Sequence, residues 1–133
     1  MQTKPILSSE IARRLLDAAL DAAQAAGYTM SVAVVDDGGY PLALQRMERA
    51  GKLTAKVAME KARTAALMRG PSGALQSRVK DDPALLRLTD YLPMAGGFPV
   101  MHEGECAGAL GISGGTAEQD TEIATAALAI LEG

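Results

Sequence analysis

The sequence is poor in the residues that mark several familiar classes of protein. Tryptophan is absent, phenylalanine occurs once, and Cys106 and His102 are the one cysteine and the one histidine. A single cysteine cannot form a disulfide within the chain, and no secretory leader precedes the charged, amphipathic stretch that follows Pro5. We therefore expect a cytoplasmic protein. His, Cys and carboxylate residues do not have the spacing of a metal site, so we expect no structural metal ion.

The chain also lacks an excess of positive charge and long apolar runs. Thirteen Lys and Arg are interspersed with sixteen Asp and Glu, and the net charge of -3 gives no positive field for a phosphate backbone. No apolar run approaches the roughly 20 residues that span a bilayer. Neither nucleic acid nor a membrane is therefore an expected partner.

Length and apolar content are those of a compact protein. A chain of 133 residues with 48% hydrophobic residues can bury a core, and we expect one domain over residues 1–133. Because large rings are scarce, each residue contributes less apolar area to that core. This favours burial of further surface between subunits, so we expect a homo-oligomer.

The sequence pattern predicts helices and strands separated by turns that contain glycine or proline. They are a helix that is capped by Ser8 or Ser9 and stopped by Gly27, strands over 29–35 and 40–47, a helix over 53–68, a short helix after Asp82-Pro83, strands over 98–101 and 105–112, and a helix over 116–131. The order is α-β-β-α-(α)-β-β-α. Since hairpins form the strand pairs, we expect an α+β fold, with an antiparallel sheet flanked by helices.

The most informative segment is the glycine-rich stretch over residues 96–120. Thr116 and Gln119 have the spacing of a capping box, so the last helix is expected to begin at Thr116, directly after Gly114 and Gly115. Free amides of a first helical turn bind carboxylates or phosphates. The same glycines also serve simply to turn a strand sharply into a helix. The pattern leaves both interpretations open.

Five segments spread along the chain carry a family pattern. They are LSSEIARRLLDAALDAA, SVAVVDDGG, KVAMEKARTA, GGFPV and GALGISGGTAEQDTEIA. In these segments the chain resembles the GlcG/HbpS family, which includes haem-binding proteins and the C-terminal domain of PduO. The resemblance implies a profilin-like fold, assembly into dimers or larger oligomers, and a site for a small molecule, which in some members is haem or another tetrapyrrole.

Certain positions match the family pattern, and the resemblance places them around a ligand cleft. They are Asp36, Lys61, Thr64, Gly97, Pro99, Ser113, Gly114, Gly115 and Asp120. For Asp36 and Asp120 we favour structural roles, because Asp36 can begin a turn and Asp120 can complement a helix dipole. Lys61 either contacts a ligand or pairs with a neighbouring acid, and for Ser113 a ligand contact and a structural role stand equally open.

An axial ligand for haem is not evident in the sequence. His102 lies in a predicted turn over residues 102–104, where side chains are usually solvated, so we favour a surface role over haem ligation. Cys106 fits a small core residue better than a thiolate ligand. Met and Tyr side chains are other possible donors.

Three functions fit these observations. The one we favour is the binding of a small molecule, such as haem or another tetrapyrrole. The second is an enzyme in which Lys61 or Arg46 holds an anionic substrate and Asp36 or Asp120 moves a proton. The third is an oligomeric accessory or sensory protein. Patterns of a Ser/His/Asp triad, a Cys/His pair or a P-loop are missing, so we assign no catalytic residue.

Overall fold

The structure is a computed structural model that describes residues 1–88 and 90–132. Its helices are α1 (Ser9–Ala26), α2 (Leu53–Met68), α3 (Ser72–Asp81) and α4 (Ala117–Leu128), and its strands are β1 (Ser31–Asp36), β2 (Pro41–Arg46), β3 (Gly97–His102) and β4 (Glu105–Ser113). Short 3-10 helices, Pro83–Arg87 and Ala129–Leu131, follow α3 and α4. This order confirms the predicted α+β class.

The four strands form one antiparallel sheet in the order β2-β1-β4-β3. Strands β1 and β4 lie in the centre, where Ser31 pairs with Ser113 at one end and Asp36 pairs with Gly108 at the other. Hairpins join β1 to β2 and β3 to β4, as the turn residues predict. Strands β2 and β3 therefore form the two edges of the sheet.

Helices cover both faces of this sheet. Alternate residues of β1 point to opposite sides, so Val32 and Val34 pack with α1 and α4, whereas Ala33 and Val35 pack with α2. The α2 side is built largely from alanines, which lets the helix approach the strands closely. Gly111 of β4 lies directly under this helix, and a Cβ atom there would overlap the carbonyl oxygen of Ala58. Close packing of α2 on the sheet therefore requires glycine at this position.

The ends of the helices follow local sequence signals. Ser8 caps α1 by accepting a hydrogen bond from the amide of Ile11, and Gly27 ends the helix in the left-handed conformation. Thr116 caps α4 in the predicted capping box with Gln119. The bounds of α2 are those predicted from its spacing. In the described part of the chain, no helix combines the length and apolarity needed to cross a bilayer.

Apart from bounds that shift by one to three residues, the structure differs from the predicted elements in two places. Helix α3 was not predicted, because its sequence is largely polar and it buries only Ser72 and Leu75. The predicted short helix after Asp82 is a 3-10 helix, without a cap from the Asp82 side chain.

Candidate functional site

A buried ion pair links α2 to α4. Lys61 Nζ donates to Asp120 Oδ2 at 3.0 Å and to the carbonyl oxygen of Ile112 at 3.0 Å. The two side chains are 4% and 2% exposed. Lys61 lies on the face of α2 that packs on the sheet, and Asp120 lies in the first turn of α4. The pairing with an acid, one of the two roles predicted for Lys61, is thus observed.

The second carboxylate oxygen of Asp120 binds the glycine junction, the Gly114-Gly115 segment between β4 and α4. Asp120 Oδ1 accepts a hydrogen bond from the amide of Gly115 at 3.1 Å. Burial raises the pKa of the Asp120 carboxyl above its ordinary value, because lost hydration outweighs the ion pair with Lys61 and this amide contact. The amides of Thr116 and Gln119 are bonded to each other's side chains. The amides of Gly115, Thr116 and Gln119 therefore already have partners within the chain and are not open to an external anion.

The glycine junction itself is shaped by the backbone. Gly114 has a φ of +125°, and a Cβ atom there would lie 2.7 Å from the carbonyl oxygen of Thr29, so a side chain is excluded. Gly97 begins β3, where its amide donates to Ser72 Oγ at 2.8 Å. Ser72 Oγ in turn donates to the carbonyl oxygen of Met94 at 2.6 Å. These contacts join α3 to the sheet.

The other predicted site residues occupy separate places. Thr64, one turn after Lys61, donates to the carbonyl oxygen of Glu60 and accepts from the amide of Leu92. Asp36 Oδ1 accepts from the amides of Gly38 and Tyr40, which is the turn role favoured from the sequence. Asp36 lies at the opposite end of the sheet from Ser113.

The structure therefore brings together only part of the predicted cleft. Lys61, Gly115 and Asp120 meet around one buried ion pair, and Gly97 lies against the backbone carbonyl of Lys61. Ser113 and Gly114 directly precede Gly115 in the chain, whereas Asp36 is remote. Pro99 is half-buried on edge strand β3. None of the nine predicted positions lines any of four prominent surface cavities formed by the described residues. Ligand binding by these nine residues stays a prediction.

One of the four cavities is lined mainly by apolar residues. It is a groove of about 440 Å³ between the N-terminal segment, α1 and the end of the β3-β4 hairpin. Eight of its nine lining residues are apolar and the ninth is His102. The sequence pattern did not indicate this groove, because its walls come from residues as far apart as Pro5 and Leu131.

His102 was predicted in a turn, but it is the last residue of β3, where it pairs with Glu105. The turn itself comprises Glu103 and Gly104, both with positive φ. The imidazole is 65% exposed and its Nε2 lies 4.0 Å from Glu103 Oε1. A neutral imidazole is a common axial ligand of haem, and apolar walls suit the porphyrin ring. The residues of this groove therefore fit a haem group.

The other cavities are less suited to an apolar ligand. The largest, about 560 Å³, is lined by charges of both signs, including Lys4, Asp37 and Arg69. Lys4 Nζ and Asp37 Oδ2 form an ion pair 2.7 Å long at its wall. Cys106 also lines this cavity, and burial raises the pKa of its thiol, which disfavours the thiolate form needed for metal ligation. The described residues include no group of three His, Cys, Asp or Glu side chains placed to hold a metal ion.

Comparisons with known proteins identify close relatives. The family model described as haem degrading protein HbpS-like matches residues 7–129. Protein GlcG of Escherichia coli K12 is 39% identical over 114 residues, which are 85% of each chain. A double mutant of Streptomyces reticuli HbpS has a TM-score of 0.92 and 32% identity, covering 98% of this chain and 90% of that one. The structure described as a PduOC:heme complex has a TM-score of 0.88 and 31% identity, covering 94% of each chain.

Proposed function

The chain belongs to the GlcG/HbpS family, and on that premise we propose that it binds haem or a related tetrapyrrole. The observation that carries the proposal is the match to the haem-degrading HbpS-like family over residues 7–129. It is supported by the solved relative whose description is a PduOC:heme complex, at 31% identity over 94% of both chains. The apolar groove beside His102 adds support, since it offers a ring-compatible surface and a nitrogen donor.

The contacts of the charged residues favour binding over acid/base catalysis. Lys61 and Asp120 bond to each other in the interior, and no cavity that we describe reaches them. Asp36 is held by two turn amides. Arg46 donates to the carbonyl oxygen of Ala50, so it acts as a brace for the loop after β2. The acid/base scheme with Lys61 or Arg46 and Asp36 or Asp120 therefore has no contact in its favour.

We also propose that the chain is one domain, acts in the cytoplasm and assembles as a homo-oligomer. The assembly is supported by apolar side chains exposed on and beside edge strand β2: Leu42 is 37% exposed, Leu44 43% and Leu53 69%. Analytical ultracentrifugation of the purified protein tests the homo-oligomer. A species of monomer mass across the working concentration range would contradict the assembly.

The experiment that tests haem binding is a titration of the purified protein with haemin, followed in the Soret band. We expect a shift that saturates near one haem per chain. Buffer without protein at the same haemin concentration is the blank. A protein of similar size and charge that has no haem site controls for adventitious binding. A titration without saturation, or one that matches the control protein, would overturn the proposal.

A further inference from the structure

Resting on the proposed function, we infer that haem binds in the groove between the N-terminal segment and β3, with His102 Nε2 as its axial ligand. The groove was defined above by its lining residues. This assigns the ligand to a place remote from the Lys61-Asp120 ion pair.

The walls of the groove are suited to a flat apolar ring. Its floor is formed by side chains that are already buried: Leu7, Val100 and Ala107 are 7%, 3% and 5% exposed. Its rim carries large apolar side chains in contact with water, because Ile6, Met101 and Leu131 are 83%, 48% and 38% exposed. Covering this rim removes apolar area from water, which favours binding of an apolar ring.

The imidazole supplies the polar element that fixes the ring. His102 is the single histidine of the chain and the one lining residue of the groove that is not apolar. Its Nε2 is too far from Glu103 Oε1, at 4.0 Å, for a hydrogen bond, so this nitrogen is not engaged by that carboxylate. An apolar wall with one imidazole matches an iron porphyrin, whose charged propionates can remain in solvent at the open side.

Substitutions on the exposed rim test the site without disturbing the core. In Ile6→Asp a charge replaces an apolar side chain that is 83% exposed, and Leu86→Asp makes the same kind of change outside the groove, at 60% exposure. We expect Ile6→Asp to weaken haemin binding about tenfold, equivalent to about 1.4 kcal/mol, and Leu86→Asp to bind as the wild type does. Equal affinity of the wild type and both variants for haemin would overturn the assignment of the groove as the haem site.

The axial ligand is tested separately. We expect His102→Ala to change the position of the Soret band and to lower haemin affinity, and added free imidazole to restore the wild-type spectrum. Binding of metal-free protoporphyrin IX should be insensitive to His102→Ala but weakened by Ile6→Asp. An unchanged Soret band in His102→Ala would overturn the ligand assignment.

These outcomes separate the two proposals. If the wild type shows no saturable Soret shift, haem binding itself fails. If the wild type binds haem and the His102 and Ile6 variants behave identically to it, haem binding holds and the groove is not its site. Circular dichroism of each variant verifies that the fold is retained.

Discussion

Lys61 of α2 and Asp120 of α4 form an ion pair 3.0 Å long in the interior of the protein. The two helices pack on opposite faces of the sheet, and the pair connects them past the end of β4, where the carbonyl oxygen of Ile112 is also bound. Asp120 extends the connection to the amide of Gly115. The ion pair and its two further hydrogen bonds thus connect α2, α4, the end of β4 and the glycine junction.

Removing one partner of this pair should destabilise the protein strongly. In Lys61→Met the carboxylate of Asp120 keeps its burial but loses its counter-charge, and we expect a loss of about 3 to 5 kcal/mol in the free energy of unfolding. The double variant Lys61→Met/Asp120→Leu leaves no buried charge and should recover much of this loss. Urea denaturation of the two single variants and the double variant measures these changes in the free energy of unfolding. Losses that simply add would show that the two side chains are not coupled.

The raised pKa of Asp120 gives a signed pH dependence. Between the ordinary carboxyl pKa and the raised pKa in the folded state, the folded protein binds more protons at this site than the unfolded chain. The contribution of Asp120 to stability therefore falls as the pH rises through this window and is constant above it. Asp120→Asn removes the titration but keeps the shape. We expect the stability of the wild type relative to Asp120→Asn to fall with rising pH in thermal melts, and a rise would contradict the assignment.

Close packing of α2 on β4 should make Gly111 intolerant of a side chain. A Cβ atom at Gly111 would overlap the backbone of Ala58, which cannot move without displacing the helix. We expect Gly111→Ala to cost about 2 to 3 kcal/mol. Gly51→Ala is the matched control, because its Cβ would lie at an ordinary contact distance of 3.6 Å from the Thr54 side chain. Chemical denaturation compares the free energies of unfolding of the two variants. Equal stability of Gly111→Ala and Gly51→Ala would argue against the close approach of α2 to β4.

The capping box should contribute measurably to the stability of α4. Thr116→Ala removes the hydroxyl that accepts from the amide of Gln119, and we expect a loss of about 1 kcal/mol. Thr116→Ser retains an oxygen acceptor and should lose little. Thr121→Ala removes a hydroxyl from the same helix without affecting the cap. If Thr116→Ala and Thr121→Ala have the same midpoint of denaturation, the cap contributes nothing measurable.

Local signals explain why much of the fold could be predicted. The cap at Ser8, the stop at Gly27 and the turn that begins at Asp36 depend on residues close together in the chain, so their patterns are legible in the sequence. Helix α3 carried no such pattern. It is positioned by Ser72, whose hydroxyl bonds the backbone of Met94 and Gly97 more than twenty residues away.

The sequence by itself determined the four strands, the antiparallel sheet and every long helix except α3, because short-range periodicity and turn residues encode them. Its motifs also identified the family. Only the tertiary structure decided what Lys61 and His102 contact. Lys61 and Asp120 are 59 residues apart in the chain and meet because α2 and α4 converge at one end of the sheet. The groove beside His102 likewise exists because the N-terminal segment lies against β3. Burial and proximity between distant residues arise from packing, which no local pattern contains.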